Sequence, residues 1–390
     1  MIPIDADGTL KAKAECLLEN LAQLKSQLHL HTLPSFGELI QHVDAYSYAL
    51  LNHDCKDLTT YMMLSSSGTI ENGKAFEKVA EKMKRKILKE GANPYDGTFI
   101  KWLHMELYTA LPEACRHIEL PDFGKIFMIT GEYRTSEKGT NGYIAPYSGN
   151  LFMFISKYEQ AYSQVFNVTK SRVERLLYHV SAYHRFMWMQ PFLDGNRKIA
   201  LLILQACLIK DGWYGDAIWS LHAALQQADA HINNALKKAD ATTVLEGSEQ
   251  LSALGLSEYV EAVIDAFLQH TALLCNATSS ATMIQNINAF VDAMQFKNKM
   301  PYEANAVLEQ VWLKGTLPRM ELLRITGKSD KTAKKIADFL LNDQLLVATN
   351  LNKFSPYSMG FPLRYVPFLF SGLLNQHDEL MLFKLINSQV

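Results

Sequence analysis

Residues Gln190–Lys198 read QPFLDGNRK and lie between two stretches of helical periodicity, Arg172–Met189 and Gly195–Lys210. A loop that ends one helix and opens the next leaves the first N–H groups of the second helix without helical partners, and such a helix N-terminus attracts anions. Gly195 permits a ligand to approach the backbone closely, and Asn196 offers a side-chain amide. The stretch therefore predicts a helix–loop–helix core with an anion site in its loop.

Asp194 adds a carboxylate to this loop, and carboxylate oxygens are ligands that Mg²⁺ prefers. Taken together, Asp194, Gly195 and Asn196 suit a diphosphate with its metal ion. The same three residues are also typical of a D-G-N turn that does no more than cap a helix. On their own, the three residues leave both interpretations open.

The surrounding sequence makes the interpretation of the loop more specific. PFLDGN between two helices resembles the core of the Fic motif, commonly HPFxDGNGRxxR. The likeness extends to SGTIEN at Ser67–Asn72, GEYR at Gly131–Arg134, AYHRFMWM before the loop, and a C-terminal winged helix ending in FPLRY. The chain is therefore similar, from about Ser65 to Phe370, to a Fic (Fido) subfamily that carries an N-terminal inhibitory motif.

This resemblance implies the chemistry of protein adenylyltransferases. In Fic enzymes the motif histidine takes the proton from a Ser, Thr or Tyr hydroxyl of a target, and that hydroxyl attacks the α-phosphate of ATP. Gln190 stands at the histidine position in this chain. A glutamine amide has no useful basicity near neutral pH, and losing a positioned base costs about 10²- to 10⁴-fold in rate. We therefore expect weak or absent adenylyl transfer.

Two other positions of the motif are altered in ways that also weaken the expected activity. The first motif arginine, which grips the β-phosphate region, is matched by Lys198, and the second, expected at the γ-phosphate, by Leu201. Lysine keeps the charge but loses the planar fork of arginine. By resemblance, the catalytic positions are Gln190, Asp194, Asn196 and Lys198, a nucleotide such as ATP is held by Gly195, Asn196, Arg197 and Lys198, and Mg²⁺ is held by Asp194.

The family's inhibitory motif, [S/T]xxxE[G/N], is matched by Ser67, Glu71 and Asn72. Its glutamate normally pairs with the second motif arginine and obstructs the γ-phosphate. Because that arginine is absent, we expect Glu71 to turn to Lys198 or Arg197 instead. The alternative is an exposed glutamate at the end of a short helix.

The periodicity changes between Lys125 and Pro146, where FMITGEYR, a polar SEKGTNG turn and YIAP predict a β-hairpin closed by glycines. By resemblance this hairpin is the flap, which binds a protein target by strand addition. An ordinary surface hairpin is the alternative. The strand edge of the flap is expected at Ile126, Phe127, Met128 and Ile129.

From Pro301 onward the pattern predicts a winged helix-turn-helix: a helix to Leu313, a second over Met320–Ile325, and a third that Ser329 caps and that runs to Asn342. Lysines recur on one face of the third helix and in the turn before it. They suit phosphate contacts along DNA, although winged helices also bind proteins. The candidate DNA-binding residues are Lys328, Lys331, Lys334 and Lys335.

The overall composition narrows the class of protein. The 390 residues include 38 basic and 40 acidic side chains, so net charge gives no reason to expect polyanion binding by the protein as a whole. Five cysteines without a CxxC pair fit a reducing compartment. The N-terminus has no signal-peptide pattern, and the longest apolar run, Ile199–Ile209, is too short to span a bilayer. We expect a cytoplasmic protein with no membrane partner.

The sequence thus predicts a mainly α fold: a Fic-type helical domain with a β-hairpin flap, followed by a winged helix-turn-helix domain. The predicted boundaries are 1–64 for an N-terminal helical region, 65–298 for the Fic domain with its inhibitory motif at 67–72, and 301–375 for the winged helix. The favoured function is a nucleotide-binding regulator related to adenylyltransferases.

Two alternative functions stay open. One is an active nucleotidyl- or phosphotransferase in which Asp194, another residue or the substrate supplies the base. The other is a DNA-binding transcriptional regulator whose Fic domain senses a ligand. The expected partners are a protein target at the flap, DNA at the winged helix and a second copy of the chain in a homodimer.

Overall fold

The computed structural model describes residues 3–66, 71–120, 124–136, 139–140, 143–167, 170–214, 217–245, 248–296, 300–350, 352 and 355–388. Within these residues the fold is mainly α, which confirms the predicted class. The chain divides into two compact units. The first unit comprises Met1–Leu17, Ala45–Gly215 and Ala224–Phe267, and the second comprises Leu18–Asp44, Asp216–Ala223 and Leu268–Val390. The domain boundaries 1–64, 65–298 and 301–375 stay a prediction.

The helices and strands follow one another along the chain with short connections. The helices up to the motif are α1 (Thr9–Gln27), α2 (Leu33–Leu51), α3 (Leu58–Ser66), α4 (Glu71–Glu90), α5 (Gly97–Ala110), α6 (Leu151–Tyr162), α7 (Arg172–Met189) and α8 (Asn196–Lys210). Those after it are α9 (Leu221–Gln227), α10 (Asp229–Ala239), α11 (Ala253–Thr278), α12 (Ser280–Phe296), α13 (Ala304–Lys314), α14 (Arg319–Thr326), α15 (Asp330–Asn342), α16 (Val366–Leu369) and α17 (Gln376–Ser388). Antiparallel strands pair in twos: β1 (His117–Leu120) with β2 (Gly124–Phe127), β3 (Gly139–Thr140) with β4 (Tyr143–Ile144), β5 (Thr242–Leu245) with β6 (Ser248–Leu251), and β7 (Leu346–Ala348) with β8 (Tyr357–Met359).

Helix α8 forms the centre of the first unit. Its side chains from Ile199 to Leu208 are buried, including the polar Gln205. A helix that is apolar on all sides is stable where neighbours cover it all round, and α4, α5 and α7 all pack against α8. The motif loop therefore stands at the N-terminal end of a helix that the core holds in place.

Helix α7 leads into the loop and begins and ends as the sequence predicted. It begins with a capping box, in which the Glu174 N–H donates to Ser171 Oγ at 3.1 Å and the Ser171 N–H donates to the Glu174 carboxylate at 3.0 Å. Its observed bounds, Arg172–Met189, are the predicted ones. The capping box and the helical periodicity both come from residues in the helix or directly before it. This explains why the sequence located the helix correctly.

The helical periodicity of the sequence predicts a single helix over Phe36–Met63. That prediction is wrong, because α2 ends at Leu51 and α3 begins at Leu58. His53 adopts the left-handed conformation with φ 57°, and the N–H groups of His53 and Asp54 donate to the carbonyls of Leu50 and Ala49. This pair of hydrogen bonds is a Schellman motif, which ends a helix. No glycine marks the end in the sequence, so the periodicity predicted one long helix.

The predicted hairpin between Lys125 and Pro146 also pairs differently. Gly124–Phe127 pairs backwards with His117–Leu120, while the glycine-rich segment closes a separate, shorter hairpin in which Thr140 faces Tyr143. A tight connection is the entropically cheaper one for each strand, and each finds its partner at short range. The sequence pattern predicts a helical region from Asp216 to about Phe296. A further hairpin, β5–β6, interrupts it.

The second unit contains the three C-terminal helices in the order expected for a winged helix. Helices α13, α14 and α15 are followed by the β7–β8 hairpin, and Leu317 forms a β-bridge with Tyr357. Ser329 is the N-cap of α15, which ends at Asn342 as predicted. The assignment of this region as a winged helix stays a prediction.

Candidate functional site

The motif loop is shaped by two residues in the left-handed backbone region. Gln190 ends α7 with φ 42° and ψ 66°, and its N–H donates to the Phe186 carbonyl at 3.1 Å. Gly195 has φ 73° and precedes the first turn of α8. A left-handed glutamine is uncommon outside tight turns and costs conformational energy that the surrounding structure must offset.

Gly195 is required by contact as well as by conformation. A Cβ added at this position would lie 2.6 Å from the Tyr108 hydroxyl oxygen and 2.7 Å from Cε2 of the same ring. Because Gly195 has no side chain to cap α8, the N–H groups of the first turn, Asn196 to Lys198, have no capping side chain. The loop thus provides backbone donors at a helix N-terminus, as the sequence predicted for an anion site.

The amide of Asn196 is used within the loop. Its Oδ1 accepts from the Phe192 N–H at 2.8 Å and its Nδ2 donates to the Phe192 carbonyl at 2.7 Å, and the residue is buried. The sequence predicted that this amide would donate to the ligand. In the structure the amide is hydrogen-bonded within the loop, which leaves the uncapped backbone N–H groups at the start of α8 as candidate donors.

Asp194 is the exposed carboxylate of the loop. Its Oδ2 accepts a hydrogen bond from the Tyr108 hydroxyl at 2.6 Å. Burial, together with the adjacent Asp194 carboxylate, raises the pKa of Tyr108 well above its usual range, so the hydroxyl remains a donor at any working pH. The sequence predicted Asp194 as the metal ligand, and the structure shows what orients it.

His104 supports the loop from beneath. Its Nδ1 accepts from the Gly131 N–H at 2.9 Å, which leaves the proton on Nε2, and Nε2 lies 3.3 Å from the Asp194 carbonyl. The ring stacks on Phe192 with 4.0 Å between centroids and on Tyr108 with 4.6 Å. Both ring nitrogens face backbone atoms of the loop and the flap, so His104 acts as a structural brace.

Arg134 joins the loop to the segments that flank the second hairpin. Its guanidinium is 3% exposed and donates to three carbonyls, those of Gln190, Ser136 and Pro146, while its backbone N–H donates to the Pro191 carbonyl. One buried side chain therefore holds the start of the loop together with Ser136 and Pro146, which lie on either side of the second hairpin.

The two cations of the first turn of α8 have carboxylate partners. Lys198 Nζ lies 2.7 and 2.9 Å from the two oxygens of Asp54. One Arg197 nitrogen lies 2.8 Å from Asp229 Oδ1. Leu201, at the position of the second motif arginine, is fully buried and does not reach a ligand.

A cavity of about 420 Å³ opens beside Arg197 within the first unit. It lies between the end of α2 and the junction of α9 and α10. Its lining combines an apolar floor with several polar side chains: Leu50, Leu51, His53, Cys55, Lys56, Arg197, Gln226 and Asp229.

The inhibitory motif falls largely outside the described residues. Ser67 is not described, and Glu71 and Asn72 open α4 with side chains that are not described either. In the flap, Met128 is buried, Ile126 is half-buried, and Phe127 and Ile129 are exposed. In the second unit, Lys328 lies 2.9 Å from Glu303, whereas the other candidate lysines, Lys331, Lys334 and Lys335, are exposed on α15.

Four supporting residues were missed from the sequence: Asp54, His104, Tyr108 and Asp229. His104 and Tyr108 are four apart on a predicted helix and so share a face, which was a readable signal for a polar site on that helix. Asp54 lies 144 positions before its partner, and no local pattern indicates the pair.

Comparison with known proteins agrees with this geometry. The model of the Fic/DOC family matches residues 95–208, which contain α5, the flap, α7, the loop and most of α8. No curated protein matches the chain.

Two crystal structures share the fold. A Fic domain-containing signalling protein from Bacteroides thetaiotaomicron VPI-5482 is 17% identical with a TM-score of 0.51, covering 67% of this chain and 96% of that one. A Fic family protein from Desulfovibrio desulfuricans G20 is 13% identical with a TM-score of 0.50, covering 93% of this chain and 99% of that one. At these identities the likeness shows the fold alone. Residues 95–208, which include the loop, thus match the Fic/DOC family model, and the fold of the chain is similar to that of the two Fic structures.

Proposed function

We propose that this chain binds a Mg²⁺-nucleotide at the Gln190–Lys198 loop, has little or no adenylyltransferase activity, and acts as a regulator. The observation that carries the proposal is the contrast at the loop itself. The anion-binding backbone at Gly195 and the oriented carboxylate of Asp194 are in place, while Gln190 stands where the family has its base. Binding is thus supported without the proton transfer that catalysis needs.

No described side chain bonded to the loop replaces the missing base. His104 uses both ring nitrogens in contacts with Gly131 and Asp194. Tyr108, with its raised pKa, holds its proton and donates it to Asp194. A hydroxyl of a target protein would therefore keep its proton at this site, which favours the weakly active or inactive form over the active transferase.

Asp194 fits the role of metal ligand. Its carboxylate is exposed, and Tyr108 engages only Oδ2, so Oδ1 has no hydrogen-bond partner among the described residues. Mg²⁺ sites of this kind take one or two carboxylates, and substrate phosphates and water supply the rest. When bound, the ion would neutralise diphosphate charge, and Asp194, held by Tyr108, would fix where that charge lies.

The regulatory role is supported by the flap. Phe127 and Ile129 project to solvent next to β2, and among the described strands β2 pairs only with β1. An unpaired strand edge with exposed apolar side chains favours strand addition by a partner protein. Binding of nucleotide at the loop would affect that partner through Arg134, which connects Gln190 in the loop with Pro146 at the end of the flap segment.

The test is to incubate the full chain with labelled ATP, GTP, UTP and CTP in the presence of Mg²⁺, and to measure ATP and ADP binding by calorimetry. We expect modification at background. Because Leu201 is buried, ATP and ADP should bind within about tenfold of each other, or about 1.4 kcal/mol. Asp194→Asn should weaken Mg²⁺-dependent binding. Turnover well above background would favour the active transferase, and no nucleotide binding would overturn the proposal.

A second candidate function, DNA binding, is supported by α15. Lys331, Lys334 and Lys335 are exposed, opposite the buried Ala333 and Ile336. Three lysines on phosphates predict a log–log slope of affinity against salt of about −3, at roughly −0.9 per phosphate. Replacing the three lysines by alanine should flatten the slope and leave the fold intact. An intact chain without salt-dependent association with duplex DNA would instead favour a protein-interaction or dimerisation role.

A further inference from the structure

We propose that Arg197, with His53 and Lys56 beside it, forms an anion subsite for the diphosphate that ADP and ATP share, and that Lys198 takes no part in holding the ligand. This inference rests on the proposed function, since it assigns one end of the same nucleotide. It departs from the expectation from the motif, in which Arg197 and Lys198 both hold the nucleotide and the residue at position 198 grips the β-phosphate region.

Lys198 is already committed to a buried carboxylate. Both oxygens of Asp54 lie within 2.9 Å of Nζ, and the two side chains are 18% and 13% exposed. Removing one partner from a buried ion pair leaves an uncompensated charge, which is strongly unfavourable. A phosphate that took Lys198 would leave Asp54 in that state.

Asp54 has little freedom to follow Lys198 or to withdraw from it. The Schellman motif at the end of α2 fixes its backbone, because the His53 N–H donates to Leu50 at 3.0 Å and the Asp54 N–H donates to Ala49 at 2.9 Å. The carboxylate is therefore placed against Lys198 by the helix end itself. The ion pair of Asp54 and Lys198 is therefore a fixed structural contact near the loop.

Arg197 is held much more loosely. It contacts one oxygen of Asp229 at 2.8 Å, and the two side chains are 29% and 42% exposed. Arg197 also contacts the neutral Tyr183 hydroxyl. Ion pairs with this much exposure contribute little to stability. Asp229 also keeps a second partner, because its Oδ2 accepts from Asn233 Nδ2 at 2.8 Å. A phosphate can therefore replace Asp229 on Arg197 without leaving that carboxylate unpaired.

The cavity favours an anion at this position. Its lining includes Arg197, Lys56 and His53 but a single carboxylate, that of Asp229, and Lys198 is not part of it. Lys56 and His53 are exposed on the solvent side. The volume of about 420 Å³ lies in the range typical of small-ligand sites. The guanidinium fork can pair with two phosphate oxygens at once, which an ammonium cannot.

The test is calorimetry of MgADP and of Mg²⁺-pyrophosphate with the full chain, three altered chains and one control variant. Arg197→Gln should lower both affinities at least tenfold. Asp229→Asn, which releases Arg197, should raise them about threefold or more. The double change Asp54→Asn with Lys198→Gln removes the neighbouring cation together with its counter-charge, and should alter the affinities by less than threefold. Arg85→Gln, an exposed arginine on α4, is the charge-matched control.

The outcomes separate this subsite from the function on which it rests. If the double variant loses as much affinity as Arg197→Gln, or more, Lys198 is the phosphate ligand and the subsite is overturned. If MgADP binds and Arg197→Gln leaves its affinity unchanged, the proposed subsite in the cavity is overturned while the proposed function stands. If neither the wild type nor any variant binds nucleotide or pyrophosphate, both fail. Circular dichroism and thermal melting of each variant show that a lost affinity is not lost folding.

Discussion

The two halves of the motif stretch differ in what holds them. In the loop half, from Gln190 to Asn196, the residues of the motif are kept except at Gln190, and Phe192, Asp194 and Asn196 are hydrogen-bonded within the loop or contact His104 and Tyr108. In the helix half, from Arg197 to Leu201, the arginines have been replaced, and the remaining cations contact carboxylates. The side chains that hold the loop together match the motif, whereas the positions that differ from it, Gln190, Lys198 and Leu201, are those for which the motif implies contact with a reactant.

The largest expected effect comes from restoring chemistry to the loop half. Gln190→His places a base at the end of α7, and histidine tolerates the left-handed backbone found there. We expect self- or target-modification to rise by up to about 10²- to 10⁴-fold, the factor that a positioned base supplies. Transfer of label from ATP measures it, and Glu71→Gly should raise it further.

Gln190→Asn is the matched control for this gain, because it shortens the side chain and adds no base. Leu201→Arg is not a useful addition, since its side chain is fully buried and an arginine there would bury a charge. Modification that stays at background in Gln190→His, even together with Glu71→Gly and Lys198→Arg, would show that the loop does not present a hydroxyl to the α-phosphate.

A smaller but still large effect is expected from Gly195→Ala. The left-handed backbone costs an alanine about 1–2 kcal/mol, and its Cβ would displace the Tyr108 ring, which adds about 1–3 kcal/mol. Gly91→Ala is the control, because Gly91 has φ 69° and nothing lies within 4 Å of its Cβ position. Urea unfolding should show a clearly greater loss of stability for Gly195→Ala, and equal losses would mean that the contact with Tyr108 does not constrain the loop.

The smallest effect sharpens the role of Tyr108. Tyr108→Phe removes the hydroxyl that orients Asp194, and residues that orient a metal ligand typically change metal affinity by about tenfold or more. Titration of Mg²⁺ against nucleotide binding measures the change. Tyr133→Phe should have no effect, because the Tyr133 hydroxyl is buried with no hydrogen-bond partner among the described residues. An unchanged Mg²⁺ dependence in Tyr108→Phe would remove Asp194 from the metal site.

The parts of the fold that were predictable are those with local causes. The bounds of α7 and the start of α8 follow from periodicity, a capping box and a glycine, all within a few residues. The end of α2 was missed because its left-handed position is occupied by His53 rather than by glycine. The pairing of β2 was missed because the glycine-rich turn after it gave a stronger hairpin signal than the segment before it.

From the sequence, the candidate site could be predicted only as a set of motif positions, without the contacts that their side chains make. The resemblance located Gln190, Asp194 and Gly195, since they are contiguous in the sequence. It could not show that the Asn196 amide is hydrogen-bonded to Phe192, nor that Lys198 forms an ion pair with Asp54. Both contacts depend on how the folded chain brings these residues together. The sequence was enough to locate the motif. The structure was needed to show which of its side chains already have partners within the protein.

The buried guanidinium of Arg134 has a consequence for how this region opens. Its hydrogen bonds join Gln190, Ser136 and Pro146, so exposing any one of these segments to solvent breaks contacts of the other two. The loop and the segments around Arg134 should therefore unfold locally as one cooperative unit. In amide hydrogen exchange, Gly131 and Phe192 should share a single opening free energy. The amides of the exposed strand β2 should exchange faster. In Arg134→Lys, the exchange rates of Gly131 and Phe192 should rise towards the rate of β2.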